Sequence, residues 1–423
     1  MRWQEGDTAP AGLPAFDLDF VRAQFPAFAE PSLSGWAFFE NAGGSYACRQ
    51  VIDRLGRFYR ERKVQPYAPY PASQAGGAEM DEARERVAAL LGVEADELLF
   101  GPSTSQNTYV LAQAFRSMLV PGDAIVVTDQ DHEANSGAWR RMAGGGIAVR
   151  EWRVDPDTGA LDPARLAELL DERVRLVCFP HCSNILGQTN PVADIVAMVH
   201  AAGAAACVDG VSHAPHGLPD VGALGADVYL FSAYKTYGPH QGVMVVRRAL
   251  AARLPNQGHY FNDRAASKRL VPAGPDHAQV AACAGIADFV DALHDHHFAD
   301  QPEPRVRAAR VAALQRARET RLLEPLMAWL AGRADLRLLG PRTAQGRVPT
   351  VAMRLDRRGE AVAADLAAHG VMAGGGDFYA VRLLEALGVD PGHGVLRLSF
   401  VHYTSEAEVA QAIAALEAVL GPA

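Results

Sequence analysis

The sequence predicts an α/β fold, with a large domain on a mostly parallel sheet and a smaller C-terminal α+β domain. Two observations carry that expectation. Between about residues 98 and 246, short β-branched or aliphatic runs alternate with helical segments, the pattern of a right-handed parallel sheet. After the break at Asp300-Gln-Pro-Glu-Pro304 the pattern changes. Strands near 336–340, 348–355 and 395–403 now interleave with helices near 360–368, 379–387 and 405–419. The 423 residues, 49% hydrophobic, suffice for two or three domains. The expected division is an N-terminal arm over 1–30, a large domain over 31–285 and a small domain over 286–423.

Composition excludes several function classes. The formal net charge is −9 and the Lys and Arg are scattered, which argues against nucleic acid and anionic membrane as partners. No apolar run reaches ~18 residues, and the polar start Met1-Arg-Trp-Gln-Glu-Gly-Asp lacks an apolar signal core. Cys48, Cys178, Cys182, Cys207 and Cys283 form no CxxC or paired framework. A cytoplasmic protein without structural disulfides or a metal is expected.

In chain order, Phe16 to Phe28 is a short amphipathic piece of the arm. Trp36-Ala-Phe-Phe-Glu-Asn-Ala-Gly-Gly44 is a strand entering a glycine turn, and Val51, Leu55 and Phe58 or Tyr59 follow at helical spacing. Gln65 to Gly77 is rich in Pro, Gly and Tyr and reads as an irregular covering loop, followed by a helix over Glu79–Leu91. Leu98–Gly101 is a short strand, after which Pro102-Ser-Thr-Ser105 opens the helix Gln106–Met118. Hydroxyls and free N–H groups there suit an anion, and equally a plain Ser/Thr cap.

Ala124–Thr128 is the next strand, and Asp129-Gln-Asp-His-Glu-Ala-Asn135 leaves its end. After Gly144-Gly-Gly146 come a strand to Val154, a helix over Pro163–Leu170 and the strand Val174–Phe179. The loop Pro180–Pro191 and the helix Val192–Ala202 lead to Ala204-Ala-Ala-Cys-Val-Asp-Gly210, a strand ending in Asp209. Val228–Phe231 is another buried strand, stopping at Ser232 three residues before Lys235 and a Gly238-Pro239 turn. Gly242–Val246 returns from it. Residues 250–278 are irregular, and long helical stretches over Ala278–His296 and Arg305–Leu330 carry the chain into the small domain.

Two consecutive strands thus end in Asp209 and Lys235, and in open α/β sheets ligands collect at such ends. Partial desolvation lowers a lysine's pKa and makes the amine nucleophilic. A lysine that forms an imine with an aldehyde, beside a carboxylate that keeps a pyridinium protonated, is what pyridoxal 5′-phosphate (PLP) requires of a protein.

The segments Val208-Asp-Gly-Val-Ser-His-Ala-Pro-His216 and Phe231-Ser-Ala-Tyr-Lys-Thr-Tyr-Gly-Pro-His240 resemble class V aminotransferases of the cysteine desulfurase-like group. The resemblance implies fold type I, with Lys235 as the cofactor lysine and Asp209 on the ring nitrogen. Ser103 and Thr104 match the family's phosphate-binding Thr-Thr, and His132 falls where a histidine stacks on the pyridine ring. Asn184, in Pro180-His-Cys-Ser-Asn-Ile-Leu-Gly-Gln-Thr-Asn-Pro191, matches the donor to the phenolic oxygen. Ser232 and Tyr234 join Lys235 around the cofactor, and Asn41 matches an Asn-Ala pair near the active site. Arg397, in Gly394-Val-Leu-Arg-Leu-Ser-Phe400, matches the arginine that takes the substrate α-carboxylate; from the residues alone a structural salt bridge reads as well. Relatives build the site at a homodimer interface, to which 250–278 is the expected contributor.

Departures from the family bear on the reaction. The stretch Gly370–Ala380 has no cysteine, and Tyr379 stands about where desulfurases carry the persulfide-forming one. Ser212 replaces a ring-contacting Gln, Tyr234 a His, and Pro275 a Thr lent across the dimer. The expected function is therefore PLP-dependent chemistry on an α-amino acid, desulfurase-like or C–S lyase, without the usual persulfide cysteine. An aminotransferase or an amino-acid epimerase is the alternative. A non-catalytic PLP-fold binding protein is disfavoured by Lys235, Asp209, His132 and Asn184 together.

Overall fold

The computed structural model describes residues 12–421; the first eleven residues of the expected arm, with the polar start, lie outside the described residues. Seven strands form the central sheet: β1 (Leu98–Gly101), β2 (Ala124–Thr128), β3 (Ala148–Trp152), β4 (Val174–Pro180), β5 (Ala205–Asp209), β6 (Val228–Ser232) and β7 (Gly242–Val246). Their spatial order is β1-β7-β6-β5-β4-β2-β3. β7 runs antiparallel to β1 and β6, and all other pairs are parallel. Both faces are covered, so β2, β6 and β7 are buried along their whole length and read as unbroken apolar runs. The period of two still sorts the side chains. Ile125, Leu176 and Leu230 meet the helix that carries Leu111 and Phe115, while Val126, Val177 and Phe231 face the larger core.

The C-terminal sheet consists of β8 (Arg337–Leu339), β9 (Thr350–Arg354), β10 (Gly374–Gly376) and β11 (Val395–Ser399), in the antiparallel order β10-β11-β9-β8. Its core of Val351, Met353, Leu396 and Leu398 also takes in Ala37 and Phe39 from far upstream. The short strand Ala37–Phe38 pairs in parallel with Val371–Met372. The helix Pro304–Ala331 spans both cores, with Ala308 and Val311 in the large one and Leu322 to Leu330 in the small one. No helix of the described residues is long and apolar enough to cross a membrane.

Two local expectations are corrected, and one strand is added. The segment expected as a loop to Gly77 is helical from Pro71, in one helix Pro71–Leu91. Pro71 sits at its first position, where its missing N–H costs nothing. Gly77 is there for contact, since a Cβ would lie 2.6 Å from the Tyr67 ring. The stretch expected over Ala278–His296 is two helices, His277–Ala282 and Ala284–His297, meeting at Cys283. Gly374–Gly376, with no side chains to signal a strand, is nonetheless the edge strand beside Arg397.

The first turn of the helix Thr104–Met118 is set by contact with β7. A Cβ on Gly242 would lie 2.5 Å from the carbonyl carbon of Ser103 and 2.8 Å from the backbone nitrogen of Thr104. Gly242→Ala is expected to destabilise the protein by about 1–3 kcal/mol, because backbone rather than a flexible tip must move. Urea unfolding checks this; an unchanged midpoint and slope would show the helix start to be free of β7.

Candidate functional site

The C-terminal ends of β2, β4, β5 and β6 open into one cleft with an inner volume of about 100 Å³. Nine of the twelve sequence-selected residues line it: Ser103, Thr104, His132, Asn184, Asp209, Ser212, Ser232, Tyr234 and Lys235. The other three are outside its lining. Tyr379 is 70% exposed, with its ring centroid 5.3 Å from that of His132. Arg397 is buried and reaches the cleft wall through the Asn184 carbonyl, 3.2 Å from its Nη1. Asn41 is buried, its Oδ1 accepting from the Tyr403 hydroxyl at 2.6 Å.

Asp209 ends β5, where its Oδ1 accepts the Val211 N–H at 2.8 Å and its carbonyl accepts the His181 N–H at 2.7 Å. Burial pushes its carboxyl up to about 6, against the pull of the Val211 N–H and of Lys235. Lys235 stands on a single 3-10 turn, Ala233–Lys235, after β6. The turn ends in left-handed Tyr237 at φ 64°, whose hydroxyl donates to the Pro215 carbonyl. Burial, helped by the Arg397 charge, lowers the Lys235 ammonium to about 8; Asp209 and Glu40 oppose the shift. Its amine is thus partly free near neutral pH.

His132 caps a short turn, its Nδ1 accepting the Ala134 N–H at 3.0 Å. The neutral ring therefore carries its proton on Nε2. Burial, with the charges of Lys235 and Arg397, lowers its pKa to about 3, so the imidazole is uncharged. Ser103 caps the helix Thr104–Met118 by accepting the Gln106 N–H at 3.2 Å. The Thr104 and Ser232 hydroxyls lie 2.8 Å apart and join the helix start to the end of β6. Asn184 donates from Nδ2 to the Phe378 carbonyl at 3.0 Å, while its buried Oδ1 has no partner.

Reasoning from sequence missed Asp131, which lines the same cleft. Burial and the charge of Asp209 raise its carboxyl well above the usual range. Its signal was present in Asp129-Gln-Asp-His132, a run of polar groups straight after a fully buried strand. His240, also missed, stacks on Tyr234 with centroids 4.8 Å apart and planes within 7°.

The arrangement combines a nucleophilic amine, a buried carboxylate that lacks a full counter-charge, an uncharged aromatic ring and a hydroxyl-rich helix N-terminus. In the ligand-free chain, reductive trapping of Lys235 by acetaldehyde should speed up about tenfold per pH unit below its pKa and level off near 8. Surface lysines should keep accelerating to above ~10. Arg397→Ala should move the plateau to higher pH by removing a cationic neighbour. Peptide mapping by mass spectrometry reads both, and Lys235 tracking the surface lysines would contradict the assignment.

The family model for class V aminotransferases matches residues 37–270. The chain is 34% identical over 419 residues to an aminotransferase-like protein of Gibberella zeae, covering 96% of this chain and 99% of that one. It is 30% identical over 426 residues to a cysteine desulfurase of Dickeya dadantii, covering 96% and 97%. Among solved structures, a cysteine desulfurase from Escherichia coli superposes with a TM-score of 0.80 at 24% identity, covering 96% of this chain and 99% of that one. A cysteine desulfurase from Thermococcus onnurineus gives 0.83 at 22%, covering 97% and 100%. With a family model over more than half its length and relatives aligned end to end, the chain belongs to the class V aminotransferase family, in the cysteine desulfurase-like group of fold type I, PLP-dependent enzymes.

Proposed function

We propose that this chain binds PLP at Lys235 and acts on an α-amino acid by cysteine desulfurase-like, C–S lyase chemistry without a loop persulfide. The observation that carries the reading is the pair of adjacent strand ends whose buried Asp209 and Lys235 share one cleft. The residues fit the cofactor group by group. Ser103 and Thr104 at the helix start suit the phosphate, Asp209 the ring nitrogen, the uncharged His132 ring the pyridine face, and Asn184 the phenolic oxygen. Ser212, Ser232 and Tyr234 complete the wall.

When bound, the cofactor supplies an electron sink for charge left at the substrate Cα. The chain's own groups do the rest. Lys235, whose ammonium burial makes easier to deprotonate, would take the Cα proton and pass it to the departing sulfur group. Asp209 keeps its negative charge next to the ring nitrogen, and Arg397 orients the substrate carboxylate.

Loss of a β-substituent is favoured over persulfide formation by the cysteines. None stands in 370–380, and Cys182 is buried with its thiol pushed far up by desolvation. The second reading, an aminotransferase or an epimerase, is supported by the full-length aminotransferase-like relative. A homodimer is part of the proposal, supported by Tyr260 and Phe261, 89% and 69% exposed within 250–278. A cytoplasmic location is supported by five cysteines that are all free and buried.

The deciding experiment combines borohydride fixation with a panel of amino acids. Native protein should fix the cofactor to Lys235, Lys235→Ala should not, and Asp209→Asn should lose at least ~100-fold in turnover. Cysteine, its S-substituted forms or selenocysteine should yield pyruvate and ammonia with release of sulfide, thiol or selenide, and no protein-bound persulfide; alanine with sulfur left on a cysteine would mean desulfuration instead. A keto acid with the amino group retained on the protein means transfer, and solvent deuterium with inversion at Cα means epimerisation. A persulfide on Cys182 would restore a true desulfurase. By light scattering the cofactor-loaded protein should have the mass of two chains; a fully loaded monomer would refute the dimer.

A further inference from the structure

We propose that Glu40 is a built-in competitor for Arg397, which reserves that arginine for carboxylates that are also held by their amino group. The proposal rests on the reading of Arg397 as partner of the substrate carboxylate.

Arg397 is 3% exposed and its fork is already engaged. Nη2 donates to Glu40 Oε1 at 2.8 Å, Nη1 donates to the Asn184 carbonyl at 3.2 Å, and the Phe378 ring covers the guanidinium at 3.8 Å. Nε, buried, has no partner, and neither has Glu40 Oε2. A structural ion pair of this kind is normally bidentate and fully satisfied, because both charges have left water. This one makes a single hydrogen bond and leaves an unmet donor and an unmet acceptor.

The seat of the Glu40 carboxylate is nevertheless built. The Ser399 N–H donates to the Phe39 carbonyl at 2.7 Å and the Asn41 N–H to the Ser399 carbonyl at 3.1 Å, which pins the backbone on either side of Glu40 to β11. A Cβ on Gly43 would lie 2.8 Å from Oε1, and one on Gly374 would lie 2.7 Å from Oε2. Two glycines thus leave the room a carboxylate occupies. The Glu40 side chain is 30% exposed, so it has a route out when another carboxylate arrives.

A tethered carboxylate competes at an effective concentration of order mM, whatever the solution holds. A free carboxylic acid must exceed that value to occupy Arg397. An amino acid anchored through its nitrogen is tethered as well and meets Glu40 on equal terms. Glu40 therefore screens out plain carboxylates and helps to expel acid products.

Calorimetry on the cofactor-loaded full chain, with propionate and L-alanine as probes, tests this. Glu40→Gln and Glu40→Asp should bind propionate at least ~10-fold more tightly than native protein, with a smaller gain for L-alanine. Glu40→Asp keeps the charge but withdraws it from Nη2, and it covers the case in which the Gln variant does not fold. Arg397→Ala should abolish the gain in either background. Unchanged or weaker propionate binding in a Glu40 variant of native melting temperature overturns the proposal. If binding depends on Arg397 but not on Glu40, only the competitor role fails; if it is indifferent to Arg397, the reading of Arg397 itself fails.

Discussion

Taking two opposite charges out of water at neighbouring strand ends is the constraint on which this site depends. β5 and β6 run in parallel register with Asp209 opposite Leu230, so the carboxylate leaves the sheet one strand away from the turn that carries Lys235. Desolvation penalises both charged forms, driving the acid up and the ammonium down until their ordinary gap of more than six units narrows to about two. Each group lacks a full partner. A ligand with a cationic ring nitrogen and an aldehyde meets both needs at once, because the first compensates Asp209 and the second consumes the Lys235 amine.

The sheet side of the cleft is fixed by packing, while the opposite side is held by exchangeable bonds. Phe378 and Tyr379 are both left-handed, at φ 50° and 57°, a conformation that costs a non-glycine residue roughly 1 kcal/mol or more. What offsets it is a set of polar contacts. The Tyr379 carbonyl accepts the Glu133 N–H at 2.8 Å, the Phe378 carbonyl accepts from Asn184, and Arg382 pairs with Glu133. Through these contacts the segment ties the His132 loop and the Asn184 loop to the C-terminal sheet, and Phe378 reaches Arg397 as well.

The sheet was legible because its strands are buried on both faces and stop abruptly at polar residues. Val228–Phe231 followed by Ser232 and Lys235 states where a buried strand ends, and Cys207-Val-Asp209 does the same. Contacts made across long sequence distances were not. Glu40 and Arg397 lie 357 residues apart, and neither neighbourhood advertises the other. Asn41, selected from its glycine turn, engages Tyr403 because β11 and the start of the chain share one small core. Glycines misled at Gly76-Gly77, which read as part of a loop whereas they sit inside a helix against the Phe58 and Tyr67 rings. Gly374–Gly376, which carry no side-chain signal, form an edge strand beside the Glu40 carboxylate.

That edge strand bears on the fate of sulfur under the proposed reading. A sulfur-accepting residue must present a thiolate to the substrate, and thiolates need exposure or a positive neighbour. Cys178, Cys182 and Cys283 are all buried, and desolvation drives their thiols upward, outweighing the nearby Arg347 charge at Cys182. The side chain in the place where the resemblance expects a cysteine is Tyr379, a phenol against the His132 ring, which cannot take a sulfur atom. A leaving sulfur group therefore departs past Tyr379 into solvent. Gly374 of β10 then serves a different purpose from carrying a nucleophile: its missing side chain leaves the room that the Glu40 carboxylate and the Phe378 ring take beside Arg397, while Gly375 lets the strand pass close to the backbone of Gly359 and Glu360. Under the proposed reading, the work that the family resemblance assigns to a loop cysteine would fall instead to Lys235 and to the competition between Glu40 and substrate carboxylates for Arg397.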